Sequence, residues 1–115
     1  MALVVAYVPD LLFGSNVVGA LGAAGHEVRL VSAVDGESLA GVDVLVIDLT
    51  DDPSARIAAA AAAVSSAQGR VRTLAFFAHV EEDVRDAARK AGFDLVVPRS
   101  RMARAGGDLV SQLLA

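Results

Sequence analysis

The sequence predicts a three-layer α/β/α sandwich built on one five-stranded parallel sheet with the strand order 2-1-3-4-5. Five short apolar segments alternate with segments that carry helix signals, and the connections between them are short. Such alternation requires parallel strands joined by crossovers, with helices on both faces of the sheet. The segment at residues 42–50 (VDVLVIDLT) is a continuous β-branched and aliphatic run, as expected of a central strand that is buried on both faces.

Composition limits the function classes. With 115 residues, the chain is predicted to form one domain over residues 1–115. It has no cysteine, which excludes disulfides and thiolate metal sites and favours a cytoplasmic location. Ten basic residues against fourteen acidic ones give a net charge of −4, which argues against nucleic acid as a partner. No apolar run reaches the length of a membrane span and no signal peptide is evident, so no membrane partner is expected.

The first half of the chain has clear boundary signals. Residues 2–8 form the first strand, and Asp10 is a natural N-cap for a helix that ends near residue 24 with Gly25 as its C′ residue. Three glycines inside this helix each cost up to about 1 kcal/mol, so close packing on the sheet is predicted for Gly14, Gly19 and Gly22. Residues 27–33 alternate more and predict a strand nearer an edge. Residues 35–41 leave room for a short helix or a turn only.

The second half repeats the alternation. Asp52 as a capping carboxylate and Pro53 at the first helical position predict a helix to about residue 68. A strand at 71–78 precedes a helix at 81–91, which Gly92 closes. A strand at 93–98 and a final helix after Arg99 and Ser100 complete the chain. Its buried side is predicted to hold Leu109, Leu113 and Leu114, and its start is weakened by Gly106 and Gly107. Five strands in this length fit the flavodoxin-like order better than a longer Rossmann sheet.

Several segments also resemble a known family. Residues 25–28 (GHEV), 35–37 (DGE), 42–49 (VDVLVIDL), 77–79 (FAH) and 91–94 (AGFD) are similar to the receiver domain of bacterial response regulators, a CheY-like fold. The resemblance covers the whole chain. It implies a role in bacterial signal transduction, with Asp48 at the end of the third strand as the phosphoacceptor.

The other site positions that the resemblance implies depart from the family pattern. The acidic pair that would hold a divalent cation falls on Val8 and Pro9, one residue before Asp10. The expected hydroxyl residue is Phe77, the expected lysine is Arg99 and the proline after it is Ser100. We therefore predict a degenerate pseudo-receiver, not an enzyme, with no metal or other cofactor. In this interpretation Arg99 pairs with Asp48 and replaces the metal.

Two other functions stay open at this point. One is a phosphorylatable receiver that uses Asp48. The other is a nucleotide- or metal-binding domain with a crevice around Val8, Gly14, Asp48 and His79, where Asp10 and Asp51 are possible polar neighbours. Residues 13–18 and 25–29 also resemble the first βαβ unit of extended short-chain dehydrogenases. However, side chains at Val8 and Leu11 would obstruct the approach of a dinucleotide pyrophosphate.

A protein partner, or a second copy of the chain in a homodimer, is the predicted ligand of the pseudo-receiver. Receivers pair through the helix before the fifth strand, that strand and the helix after it. In this chain the region offers a predicted interaction face of Val84, Arg85, Arg89, Arg99, Arg101, Met102 and Arg104. Its arginines lie beside an acidic helix start, which suits a two-fold, self-complementary contact.

Overall fold

The computed structural model describes residues 2–78 and 82–115, in which one parallel sheet lies between two pairs of helices. The strands are β1 (Leu3–Tyr7), β2 (Glu27–Val31), β3 (Val44–Asp48), β4 (Arg72–Phe77) and β5 (Leu95–Pro98). The helices are α1 (Leu11–Ala23), α2 (Pro53–Ser66), α3 (Glu82–Lys90) and α4 (Arg99–Leu114). All neighbouring strands are parallel and their order is β2-β1-β3-β4-β5. The predicted sandwich and strand order are confirmed.

The core is divided into two layers by the alternation of side chains along the central strands. Every residue of β3 is buried, as predicted from its continuous apolar run. Val44 and Val46 point to the α1 and α4 layer, whereas Leu45 and Ile47 point to the α2 and α3 layer. Because both faces of β3 are covered, the strand delivers Asp48 to the carboxyl edge of the sheet from a rigid position.

Two predicted helix ends are confirmed by left-handed glycines. Gly25 and Gly92 both have φ of 92°, a region that favours glycine. After each of them the next N–H reaches back to the helix: the His26 N–H donates to the Leu21 carbonyl, and the Phe93 N–H donates to the Ala88 carbonyl. These bonds satisfy carbonyls that the helix end would otherwise leave free. The final helix is 16 residues long. None of the helices in the described parts of the chain is long and apolar enough to cross a membrane.

The predicted capping carboxylate of α2 is wrong. Pro53 does occupy the first helical turn, but the Asp52 side chain makes no capping hydrogen bond. Asp52 has φ of 46°, the left-handed region, whereas a capping side chain needs an extended backbone at that position. Proline also lacks the N–H group at the start of the helix, so the demand for a cap is smaller.

Between β2 and β3 the chain forms turns, which is one of the two alternatives predicted there. Asp35 and Ser38 hold the turn: the Ser38 N–H donates to Asp35 Oδ1 at 2.8 Å, and the Asp35 N–H donates to Ser38 Oγ at 3.0 Å. Leu39 fills the space beneath with a fully buried side chain. Because all of residues 32–43 are described and none is helical, no helix of this segment covers the outer strand β2.

Close packing explains only one of the three glycines of α1. A Cβ at Gly14 would lie 3.1 Å from the Leu30 side chain of β2, as predicted. Gly19 and Gly22 are exposed and a Cβ there would meet nothing within 4 Å among the described residues, so the prediction is wrong for both. In α4, Ala105 breaks the helical geometry with φ of −135° just before Gly106 and Gly107, which confirms the predicted weak point. Leu109 is buried and Leu113 and Leu114 pack on the core.

Candidate functional site

Asp48 is the last residue of β3 and lies among apolar side chains at the carboxyl edge of the sheet. Its exposed fraction is 2%, and it pairs in register with Phe76 of β4. The Thr50 N–H donates to Asp48 Oδ1 at 2.8 Å, a local turn that follows the strand directly. Asp48 thus lies at the strand end as predicted from the sequence, and among the described residues its carboxylate accepts a hydrogen bond from the backbone of its own loop.

The residues at the predicted acidic positions do not fit a divalent cation. Val8 is buried with 1% exposure, and Pro9 next to it has no oxygen-bearing side chain. Asp10 is engaged instead as the N-cap of α1: its Oδ1 accepts the N–H groups of Leu12 at 3.0 Å and Phe13 at 3.2 Å. Magnesium binds through carboxylate oxygens and waters, so these residues do not form its site. Within residues 2–78 and 82–115, no group of three or more acidic residues or histidines is placed to hold a metal.

The predicted pair between Arg99 and Asp48 is wrong, because Arg99 binds Asp10. Its Nη2 donates to Asp10 Oδ2 at 3.0 Å, and its guanidinium carbon lies 4.0 Å from the centroid of the Phe13 ring. Arg99 is the first residue of α4, which packs against α1, so its side chain extends over the start of α1. The Phe13 ring in turn lies 5.1 Å from the ring of Phe76. A cation–π contact and an ion pair thus fix this arginine.

Arg56, which the sequence interpretation missed, occupies the other side of the same edge. Its Nη1 donates to the Asp48 main-chain carbonyl at 2.9 Å, and its guanidinium carbon lies 5.9 Å from the centroid of the Tyr7 ring. The position of Arg56 in the sequence could have predicted this contact, because a long side chain in the first turn of the helix after β3 can fold back over the strand end. Two arginines therefore cover the carboxyl edge, and neither donates to the Asp48 carboxylate in the described structure.

Solved structures share this architecture over almost the full chain. A response regulator from Thermotoga maritima has a TM-score of 0.83 and 13% identity, and the match covers 99% of this chain and 98% of that one. A CheY-like protein (tadZ) from Pseudomonas aeruginosa has a TM-score of 0.78 and 18% identity, with 98% and 93% covered. A Burkholderia pseudomallei protein named as pilus assembly-related has a TM-score of 0.82 and 19% identity, with 98% and 89% covered.

The chain has the receiver fold. The identities are low, so the likeness establishes the fold and not a shared activity. No protein-family model matches the sequence, and no curated protein matches it.

Two further positions that the receiver resemblance implies, Phe77 and Ser100, do not form a shared polar site. Phe77 is buried with 4% exposure in the layer formed by α2 and α3, while Ser100 is exposed in the first turn of α4. Asp51 is exposed, and His79 lies outside the described residues. A pocket of about 200 Å³ lies beside Val8, and its described lining does not include Gly14 or Asp48: it comprises Val8, Pro9, Leu11, Leu30, Val31 and Ser32.

The predicted interaction face is wrong for two of its members. Val84 and Met102 are buried at 9% and 2% exposure, because both point into the core from α3 and α4. Arg85 is partly buried and lies 3.7 Å from the carboxylate of its neighbour Asp86. Arg89, Arg101 and Arg104 are exposed, so only arginines remain on this face as predicted contacts.

The ion pair of Asp10 and Arg99 should make the thermal stability depend on pH. The Phe13 N–H and then the Arg99 guanidinium hold the pKa of Asp10 below its ordinary value of 3.8. A lowered carboxyl pKa contributes stability above the ordinary value and loses it as pH falls through the lowered one. Asp10→Asn keeps an N-cap oxygen but removes the charge. We expect a lower Tm than wild type at pH 7, and a smaller difference at about pH 2, as Asp10 takes up a proton.

Thermal denaturation at both pH values measures this effect, and added salt tests its origin. Asp10 and Arg99 are partly exposed, so high salt should shrink the Tm difference at pH 7. A difference of equal size at both pH values would contradict the electrostatic explanation. Asp51→Asn, at an exposed acid outside the pair, is the matched control and should leave the Tm unchanged.

Proposed function

We propose that the chain is a pseudo-receiver, a non-catalytic domain that acts by protein contact in bacterial cytoplasmic signalling or regulation and is not switched by phosphorylation. The observation that carries this proposal is that, among the described residues, no free acidic side chain lies at the carboxyl end of β1 beside Asp48. Val8 is buried where an acidic residue would be needed, and the nearest candidate, Asp10, is bound to the start of α1 and to Arg99.

The chemistry of phosphoryl transfer explains why this substitution matters. Attack by a carboxylate on a phosphoryl group brings two anions together, and the transferred group carries its charge on the phosphoryl oxygens. A divalent cation held by carboxylates neutralises that charge. At this edge Arg56 donates to the Asp48 main-chain carbonyl and Arg99 donates to Asp10, so both guanidinium groups already have partners. Among residues 2–78 and 82–115, Asp48 therefore has no neighbouring cation left to stabilise an incoming phosphate.

The structural neighbours support a setting for such a domain. They include the CheY-like protein (tadZ) of Pseudomonas aeruginosa and proteins of Burkholderia that are named for pilus assembly. From this likeness we infer that the chain is a regulatory module that binds a protein partner in a bacterial assembly. Its receiver fold provides the scaffold, and its surface provides the contact.

The proposal is tested by incubation with acetyl phosphate and Mg²⁺, followed by intact-mass measurement. We expect no phosphoryl adduct on the wild type, while a phosphorylatable receiver treated in parallel gains one. An adduct on the wild type that disappears in Asp48→Asn but persists in Asp51→Asn would establish a working phosphoacceptor and end the proposal. Asp51 is a suitable matched control because it is an exposed acid close to Asp48 in the chain.

A further inference from the structure

In the part of the chain that the structure describes, the outer side of the edge strand β2 pairs with no other strand. The Glu27 N–H donates to the Ala2 carbonyl at 2.9 Å, and β2 then runs in parallel register with β1 from Leu3 opposite Glu27 to Tyr7 opposite Val31. Backbone groups alternate in direction along a strand, so residues 27, 29 and 31 turn theirs toward β1. Val28 and Leu30 consequently turn their N–H and C=O groups outward, where another strand can bind them.

The side chains around this edge are charged on one face. Glu27 and Arg29 are both exposed and lie on the face where the turns of residues 32–43 replace a covering helix. Side chains at 27 and 29 are two residues apart and therefore point the same way. The edge thus carries one negative and one positive side chain on either side of Val28.

We propose that β2 pairs with β2 of a second copy of this chain, antiparallel and about a two-fold axis, so that two five-stranded sheets become one. This inference gives a partner to the protein-contact function proposed above and rests on it. The bonding pattern requires outward-facing residues to oppose each other, which excludes any shift of the register by one residue.

Charge selects among the permitted registers. With Val28 opposite Val28 of the second copy, Glu27 of each copy faces Arg29 of the other, and the two-fold axis creates this pair twice. These are non-hydrogen-bonded positions, where facing side chains are closest and opposite charges are favourable. The next register places Val28 opposite Leu30, and Arg29 then faces Arg29. Like charges directly opposite are unfavourable, so the strand is self-complementary in the first register.

Helix α1, which lies against β2 on the other face, fits the same two-fold contact. Its Ala20 and Ala24 face Gly107 of α4, so the helical period places residues 11, 15, 18 and 22 away from α4, toward the open edge. Leu11 is 76% exposed, and a Cβ at Gly22 meets no described atom within 4 Å. Pairing of the β2 strands brings α1 of the second copy alongside. Small side chains then allow close approach of the helices, and the exposed leucine is covered.

The test is sedimentation equilibrium of the wild type and of charge-reversed variants over a range of protein concentrations. We expect a dimer to be populated at about 100 μM, as for a small interface. Glu27→Arg and Arg29→Glu each create two like-charge pairs, and each should raise the dimer Kd roughly tenfold or more. The double variant exchanges the charges and should return the Kd to within about threefold of the wild type.

Arg101→Glu is the matched control, because Arg101 is an exposed arginine of α4 on the interaction face predicted from the sequence. It should leave the Kd unchanged. A wild type that stays monomeric at about 1 mM, a dimer broken by Arg101→Glu and not by Glu27→Arg, or a double variant that fails to recover would each overturn the β2 dimer. Treating the same samples with acetyl phosphate and Mg²⁺ and measuring their mass distinguishes failure of the β2 dimer from failure of the proposed function. A phosphorylated dimer refutes only the pseudo-receiver proposal, and an unphosphorylated monomer refutes only the β2 dimer.

Discussion

Replacing Phe76 with alanine is expected to lower the free energy of unfolding by about 3–5 kcal/mol. Phe76 is completely buried in the central strand β4 and packs in the layer of α1 and α4. Its ring lies 5.1 Å from that of Phe13. Alanine would remove the buried apolar area and leave a cavity that the surrounding strands, held on both sides by backbone hydrogen bonds, can close only in part. Urea denaturation followed by circular dichroism measures the loss.

The cavity should also loosen the Arg99 contact at the edge of the sheet. Phe13 supports the Arg99 guanidinium at 4.0 Å, and Phe76 supports Phe13 from below. Phe76→Leu leaves a smaller cavity, so we expect it to lower the free energy of unfolding less than Phe76→Ala does. Leu11→Ala is the control on the surface of α1, with 76% exposure, and should change the stability of dilute monomer by less than about 0.5 kcal/mol. A loss below about 1.5 kcal/mol for Phe76→Ala would show that the ring is not a central part of the core.

The fold was predictable because its signals are local. Gly25 and Gly92 end helices with a positive φ that few other residues adopt, and Asp10 caps α1 as its position after the first strand predicts. The continuous apolar run of β3 required burial on both faces, and the alternation of β2 indicated an edge strand. Short connections then allowed few arrangements of parallel strands. Each of these features depends on a few neighbouring residues, so the sequence contained them.

The site was harder to predict because its contacts depend on side-chain direction. The sequence places Arg99 and Asp48 at the same edge of the sheet, but it does not state which carboxylate the guanidinium reaches. Arg99 opens α4, and the packing of α4 on α1 brings Asp10 within 3.0 Å. The left-handed backbone at Asp52 was equally hidden, because aspartate is common both at helix caps and in that region.

The burial of Val84 and Met102, which were predicted on the interaction face, could have been predicted from the helical period. Met102 lies seven residues before the predicted core residue Leu109, and Val84 lies four before Ala88, which is also buried. These spacings place each pair on one face of a helix, so both side chains belong to the core stripe. Arg101 and Arg104 are also one helical turn apart, but they lie on the opposite, exposed face of α4. Helical period therefore separates the buried from the exposed members of this region.

Gly107→Ala is expected to lower the free energy of unfolding by about 1–2 kcal/mol, even though alanine is the better helix former. A Cβ at Gly107 would lie 2.8 Å from the Cβ of Ala24, closer than such atoms approach. The Ala24 Cβ is attached directly to the backbone and has no rotamer to change. Helices α1 and α4 would have to separate, which strains the packing around Leu21 and Leu109. Denaturant unfolding of the variant measures the cost.

Two companion variants distinguish this steric cause from a general effect of glycine replacement. Ala24→Gly combined with Gly107→Ala removes the opposing methyl group and should recover most of the lost stability, because the two Cβ atoms no longer meet. Gly22→Ala, where nothing lies within 4 Å among the described residues, should gain up to about 1 kcal/mol when measured on dilute monomer. If Gly107→Ala stabilised the chain as Gly22→Ala does, α1 and α4 would not pack as closely as the structure has them. Replacement of glycine by alanine is thus expected to have opposite effects at Gly107 of α4 and Gly22 of α1, and only the distance to the neighbouring helix decides the sign.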